Sequence, residues 1–440
     1  MKKYKQVLIL LNIINREKLI AEITADLLKK NGLAEEVVIG QAYEVIFHIY
    51  DYEPELVISC LPRDEYSTAM FTMVKLVHRC AWVCIHPEGF QHLDDEVINE
   101  VVGENRTPAR LIDKALFWGS GMAEVVREKL LVRGKLTSAD RTGVFGYLPY
   151  ERSMLAGLPR PPIVEEAAAL AEKHKKTVIF VTPNISDVIG DHWPEAEKKR
   201  GRSNIYYFSR YKELIGRLAK DNRDVLFLVK RHPGEIAQSK EDRFAELRGE
   251  ENICIIDDVT QISFFFDHVD LFVHYGSTTA FEAYIYHIPA IGILNDHEEK
   301  QVNSLGSGDM YADVKFSLGE SSELEGYINR EIRWERNAET EHALRIYMNY
   351  TPDTEYRPSE QLVACLSDIG EPQLLAHDDP DVVHALHYKS VVKRRVVFRL
   401  RMIRDLLTGD RERGRRIRMW LKRYKDAVRG RERSTQEGRK

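Results

Sequence analysis

A chain of 440 residues that is 43% hydrophobic and 30% charged can bury sizeable cores, and its length fits two domains better than one. Its five cysteines (Cys60, Cys80, Cys84, Cys254, Cys365) lack the spacings of a disulfide framework or a paired zinc site, which fits a reducing, cytoplasmic setting. The formal charge of −5 hides an asymmetry: residues 389–440 hold 20 Lys and Arg against 6 Asp and Glu, a net of +14, while residues 1–388 hold 44 against 63, a net of −19.

The N-terminal run from Val7 to Ile14 imitates a secretion signal, but Arg16, Glu17 and Lys18 follow at once without a small-residue cleavage site, so it reads as a first buried strand. No apolar run approaches the roughly 20 residues that span a bilayer. Strands are expected at 6–14, 55–60, 81–86, 115–118 and 142–147, with helices at 17–31, 42–50, 67–79 and 122–133. Such a βαβα alternation predicts a parallel sheet with helices on both faces. Ligands of such sheets bind beyond the strand C-termini, so the polar loops Asn15-Arg16-Glu17, 61–65 and 86–92 are candidates for function.

Prolines across 148–162 mark a linker, after which a second series begins. Its strands are expected at 177–182, 224–229, 252–256, 271–274 and 290–294, and its helices at 208–221, 235–248, 262–267 and 279–286. The charged span 185–204 reads as a loop over a site, and helices follow at 323–334, 342–349, 359–367 and 381–388. The expected organisation is therefore α/β: two doubly wound Rossmann-like lobes, 1–150 and 151–320, separated by a cleft, then a helical segment 321–388 and a basic tail 389–440.

The second lobe carries the strongest signal. After the apolar run 271–274, Gly276 breaks the pattern, Ser277, Thr278 and Thr279 follow, and a helix-like pattern starts. A helix start of this kind presents unpaired N–H groups that favour an anion, which points to a phosphate site. Glu282 stands at capping-box spacing from Thr279 and reads either as a cap or as an acceptor for ribose hydroxyls. His274 is either a core histidine or a ligand contact. Lys230, Arg231, His232, Pro233 and Gly234 follow another strand, and they read as surface charges with a structural His or as a basic clamp on phosphate or carboxylate. In the first lobe, Glu88 is a candidate general base for a hydroxyl, with a loop carboxylate as the other reading. The His377–His384 stretch has the residue types of a metal site, but its proline favours turns, and no metal is expected. No glycine-rich loop with a trailing Lys-Ser or Lys-Thr appears, against a nucleoside triphosphatase. The tail sets two apolar stripes, 392–407 and 417–424, among Arg and Lys, which fits a helix on an anionic membrane surface better than nucleic-acid binding.

These residues resemble a two-lobed GT-B glycosyltransferase, similar to bacterial surface carbohydrate biosynthesis proteins and, more distantly, to capsule Kdo transferases and the CDP-glycerol glycerophosphotransferases of teichoic acid assembly. The resembling stretches are Asn15-Arg-Glu17, Pro87-Glu-Gly89, Phe117-Trp-Gly119, Gly146-Tyr-Leu-Pro-Tyr150, Val181-Thr-Pro-Asn184, Lys230-Arg-His-Pro-Gly-Glu235 and Gly276-Ser-Thr-Thr-Ala-Phe-Glu-Ala283. The resemblance implies a nucleotide sugar, of a pyrimidine nucleotide, bound by the second lobe. Lys230, Arg231, His232, Pro233, His274, Gly276, Ser277, Thr278 and Thr279 would grip the phosphates, with Glu282 near the ribose and Glu88, Arg231 and His232 serving catalysis. It also implies metal-independent transfer with no cofactor, and a lipid-linked or polysaccharide acceptor against the first lobe. The expected place is the inner face of the plasma membrane, reached through residues 389–440, with no nucleic acid as partner. Polyol-phosphate transfer, a nucleotide-sugar 2-epimerase and a non-catalytic membrane-bound scaffold are the alternatives.

Overall fold

A computed structural model describes residues 3–11, 14–42, 45–60, 71–72, 74–75, 78, 80–85, 112–132, 141–183, 195–238, 242–258, 260–294, 311–317 and 321–372. The chain forms two compact units: Met1–Leu148 together with residues from Arg345 onward, and Pro149–Leu344. Each holds a six-stranded sheet, parallel throughout, and the architecture is the expected two-lobed Rossmann-like one.

In unit 1 the strands are β1 (Tyr4–Leu11), β2 (Ala34–Gln41), β3 (Leu56–Ser59), β4 (Ala81–Ile85), β5 (Lys114–Phe117) and β6 (Thr142–Val144), in the order β2-β1-β3-β4-β5-β6. The central strands are almost continuously apolar because both faces are covered. β2 is absent from the sequence expectation for a physical reason: as an edge strand it keeps Glu35 and Glu36 exposed and has no clean apolar run. Helix α1 (Ile14–Lys30) begins earlier than expected, so Asn15, Arg16 and Glu17 form its first turn rather than a loop. Helices α2 (Val45–Tyr52) and α3 (Ser120–Val132) complete the described N-terminal part. Asp113, just before β5, is fixed in the core: Lys75 Nζ lies 2.6 Å from its Oδ2, and that oxygen also accepts the N–H of Trp82 in β4.

Unit 2 begins with α4 (Arg152–Ala156), inside the stretch 148–162 read as a linker, and α5 (Pro162–Ala171), which starts at the end of that stretch. Pro162 starts the second of these, at a position whose N–H has no helical partner to lose. The strands are β7 (Lys176–Val181), β8 (Val225–Lys230), β9 (Ile253–Ile256), β10 (Leu271–His274), β11 (Ala290–Leu294) and β12 (Val314–Ser317), ordered β12-β11-β10-β7-β8-β9. Alternate residues share one buried layer: Val178 and Phe180, Phe227 and Val229, Leu271 and Val273, Ile291 and Ile293 pack with Tyr211, Ile215 and Leu218. Those last three belong to α6 (Glu195–Asp221), which overturns the loop expected up to residue 204. Glu, Ala, Lys and Arg at 195–200 are strong helix formers, and a helical turn that is polar all round has no periodicity to reveal it. The helix expected at 235–248 is shorter, α7 (Pro233–Gln238), with turns at 243–249, and a 3₁₀ segment fills Ile262–His268. Helix α8 (Thr279–Ile285) follows β10, and α9 (Ser321–Ile328) follows β12.

The chain then runs through α10 (Ala338–Met348) to α11 (Pro358–Ser367), back in unit 1. Tyr356 Oη accepts the Tyr147 N–H at 2.8 Å and donates to the Met348 carbonyl. Lys114 Nζ donates to the Asp368 carbonyl at 2.7 Å. Gly119 and Gly121 lie so close to Ile346 and Tyr347 that a side chain at either would clash, and Gly146, at φ +87°, sits under Tyr356. Trp118-Gly119 and Gly146-Tyr147 are therefore where the returning segment seats. The 381–388 helix, the His377–His384 stretch and the basic tail lie outside the described residues.

Candidate functional site

In unit 2 the strand order reverses between β7 and β10, since β8 and β9 continue to one side and β11 and β12 to the other. Ligands of doubly wound sheets sit beyond the strand ends at such a switch point. The residues found there are Thr182 after β7 and Tyr275 to Thr279 after β10, with Lys230 to Glu235 after the neighbouring β8.

Thr182 joins two of these loops. Its Oγ1 accepts the His232 N–H at 2.9 Å and lies 3.3 Å from Glu235 Oε2. Arg231 turns inward: Nε and Nη2 donate to Glu235 Oε1 at 3.2 and 2.8 Å, Nη1 donates to Asp257 Oδ1 at 2.8 Å, and the guanidinium stacks over Phe244. Burial raises the Glu235 carboxyl above its usual range even with Arg231 beside it. Lys230 Nζ donates to the main-chain carbonyls of Asp258 and Arg231, and burial lowers its ammonium to about 8. Both cations of the expected clamp thus hold the β8 and β9 loops together. The helix spacing of Arg231 and Glu235, four residues apart, was the sequence signal for this pairing. His232 is half-buried and is followed by Pro233 at the start of α7.

His274 is buried, and both ring nitrogens are engaged. Nε2 lies 2.9 Å from the Tyr311 carbonyl and must carry the proton, leaving Nδ1 to accept the Ser277 N–H at 3.4 Å. Burial lowers the imidazole to about 4, so it is neutral at pH 7. Gly292, its neighbour in register on β11, leaves room beside the ring. His274 therefore holds the turn. At the turn, Gly276 takes φ +63°, and the Ser277 hydroxyl lies 2.7 Å from Thr279 Oγ1 and accepts the Thr279 N–H. Gly276 and Thr278 are exposed, while Ser277 and Thr279 are half-buried.

Glu282 does not cap α8. It is fully buried, and both carboxylate oxygens accept from Gln261 Nε2, at 3.0 and 3.1 Å. Burial pushes its carboxyl up to about 8, against the pull of hydrogen bonds from Gln261 and Ser263.

Unit 1 has its own switch point, between β1 and β3, and a pocket partly open to solvent lies there. Leu11 of β1, Ile58 and Ser59 of β3, Ile85 of β4, Ala21 and Glu17 of α1, Trp118 and Tyr147 are among its lining residues. The Trp118 and Tyr147 rings meet at 4.0 Å between centroids. The sequence motifs pointed to Glu17 and Trp118, but nothing in their spacing showed that they share a pocket. Glu88 lies outside the described residues. Among the described residues no group of three or more His, Cys, Asp or Glu is placed to hold a metal, and no helix is long and apolar enough to cross a membrane.

No family profile matches the chain, and no curated protein does. Solved structures do. The wall teichoic acid polymerase TagF, in a structure with CDPG, aligns with a TM-score of 0.50 at 11% identity over 83% of this chain and 88% of its own. The UDP-GlcNAc 2-epimerase of Neisseria meningitidis bound to UDP-GlcNAc gives 0.49 at 13% identity over 82% and 99%, and that of Methanocaldococcus jannaschii 0.41 at 14% over 77% and 98%. The fold is GT-B-like.

Proposed function

We propose that this protein is an enzyme acting on a nucleotide-activated sugar, and that it transfers the sugar to a surface or capsular polysaccharide acceptor without a metal. The observation that carries this reading is the β9-β8-β7-β10-β11-β12 order of unit 2. It sets Thr182 and the Gly276–Thr279 turn at the switch point where such sheets hold nucleotides. The motif resemblance to surface carbohydrate transferases and the fold likeness to TagF support the same reading.

In the proposed reaction an acceptor hydroxyl oxygen bonds to the anomeric carbon of the sugar as the bond from that carbon to the nucleoside diphosphate breaks. The hydroxyl proton passes to a carboxylate of unit 1, for which Glu88 is the candidate. With Lys230 and Arg231 held inside the lobe, and the Ser277 and Thr279 N–H groups given to His274 Nδ1 and Ser277 Oγ, the charge of the departing diphosphate falls to the main-chain N–H groups of Gly276 and Thr278 and to His232. Glu282 acts near the ribose through Gln261, whose amide it anchors. Residues 389–440 hold the protein at an anionic membrane surface.

TagF and its ligand CDPG favour one second reading, transfer of an alcohol phosphate from a cytidine-activated donor by the same unit. Calorimetry with UDP and CDP, followed by product analysis with UDP- and CDP-linked compounds, separates the two. Binding of neither nucleotide overturns both. Nucleotide release that needs no acceptor and inverts a sugar centre identifies an epimerase instead.

A further inference from the structure

Glu282 is a fully buried carboxyl that no cation faces among the described residues, and Gln261 bonds to both of its oxygens. A leucine there would avoid the cost of taking a carboxyl out of water. What the carboxyl does is fix an amide. Gln261 Nε2 donates toward both oxygens, at 3.0 and 3.1 Å. Reversing the amide would set Oε1 against the same two oxygens, of which at most one can carry a proton, so at least one contact would be repulsive. Oε1 is therefore turned away from Glu282, and it has no partner among the described residues and is not enclosed. The backbone that carries it is held as firmly. In the loop after β9, Lys230 Nζ donates to the Asp258 carbonyl, Arg231 Nη1 to Asp257 Oδ1, and the Thr260 N–H to Asp258 Oδ1. Gln261 ends that loop, and its own carbonyl accepts the Phe264 N–H at 3.3 Å where the 3₁₀ segment starts.

We propose that Gln261 is a specificity-determining residue of unit 2: its amide oxygen accepts a hydrogen bond from the nucleoside, and Glu282 positions that oxygen without touching the ligand. The proposal rests on the nucleotide reading above and deepens it, because it fixes the sense of the bond. The ligand group at this point must be a donor. A ribose hydroxyl and a base N–H, at N3 of uracil or N4 of cytosine, both meet that condition. Position supports the assignment, since the loop after β9 and the turn after β10 leave the same C-terminal edge of the sheet. Glu282 stands roughly one helical turn beyond the second of them. An acceptor already held in place adds no ordering cost when the ligand arrives, whereas a ligand without the donor leaves Oε1 stripped of water and unpaired.

The test is calorimetry on the full-length protein with UDP and CDP. It continues with the 2′-deoxy, 3′-deoxy and base-methylated forms of the nucleotide that binds, uracil methylated at N3 or cytosine dimethylated at N4. One of these forms should bind the wild type about tenfold more weakly, the cost of one hydrogen bond lost at a fixed acceptor. Gln261→Met keeps the length and removes the acceptor; it should weaken the parent nucleotide by the same factor and bind that form no worse than the parent. Loss with a deoxy form assigns the donor to the ribose, and loss with the methylated form assigns it to the base. Glu282→Gln, which still offers an acceptor to Nε2, should keep the discrimination, and Glu282→Leu, which frees the amide to turn, should reduce it several-fold in folded protein. If Gln261→Met does not fold, Gln261→Asn, one methylene too short to meet both partners, carries the same comparison. A wild type that binds every form equally, or a loss that persists unchanged in the Gln261 variant, overturns the proposal and leaves the nucleotide reading. Binding of neither UDP nor CDP overturns both.

Discussion

The two units solve the same layout with opposite materials. Both are parallel six-stranded sheets with a reversal of strand order at their centre, β1 beside β3 in one and β7 beside β10 in the other. At the first reversal the chain leaves an apolar hollow in which the Thr24 and Ser59 hydroxyls donate to nearby backbone carbonyls. At the second it fills the space with a network in which Arg231, Glu235, Asp257, Thr182 and His274 are tied to one another or to the main chain. The difference teaches that charge at a strand end is not by itself a binding site. In unit 2 the charged side chains shape the loops, and the exposed residues of the turn are the uncharged Gly276 and Thr278.

The largest expected effect tests that division directly. Arg231→Ala leaves the fully buried Glu235 without its partner and should cost about 3 kcal/mol or more in urea denaturation, because an unpaired buried charge is expensive. If Arg231 were instead a phosphate clamp, nucleotide binding would fall while stability held. His232→Ala should do the opposite, weakening UDP or CDP binding about tenfold in calorimetry with stability changed by less than about 1 kcal/mol.

Proton linkage gives a third measurement. Glu282 has its carboxyl raised to about 8, so the unfolded chain releases this proton near pH 4.5 and the folded one does not; its contribution to stability is full below pH 4.5 and declines up to pH 8. His274, lowered to about 4, acts in the other direction, and its contribution is lost as pH falls from 6.5 to 4. The two slopes oppose one another between pH 4.5 and 6.5, and above that window Glu282 acts alone. Glu282→Gln should therefore remove the fall in stability between pH 6.5 and 8, measured by urea denaturation at several pH values. An unchanged slope would mean that the carboxyl is already ionised in the folded state.

A smaller effect is expected at the turn. Gly276→Ala places a side chain at φ +63° and should cost about 1 to 2 kcal/mol while weakening nucleotide binding. Smallest of all, Lys175→Ala removes an exposed pair with Asp224 and should leave the urea denaturation midpoint unchanged, the baseline against which the buried network is judged.

Much of this was legible in the sequence. The apolar runs at 271–274 and 290–294 coincide with their strands, since strands buried on both faces leave an uninterrupted signal. Edge strands β2 and β12 gave no such signal, and the polar start of α6 gave none either. For the site, the loops were legible and the pairings were not. Arg231 and Glu235 lie one helical turn apart, so their bond could be read locally. Asp257, 26 residues on, reaches Arg231 only because β8 and β9 are neighbours in the sheet. The hollow of unit 1 depends on α1, β1, β3 and β4 together, and no window of sequence contains all four.

The return of the chain to unit 1 at Arg345 has a consequence for biosynthesis. Tyr356 and Asp368, which seat against Tyr147 and Lys114, leave the ribosome more than 200 residues after their partners. Unit 2, continuous in sequence, can close while the chain is still being made. Unit 1 must wait, its β6 edge uncovered, until α11 emerges. A nascent chain halted before residue 345 should therefore protect unit 2 from protease and leave unit 1 open to cleavage, so that the lobe begun first is finished last.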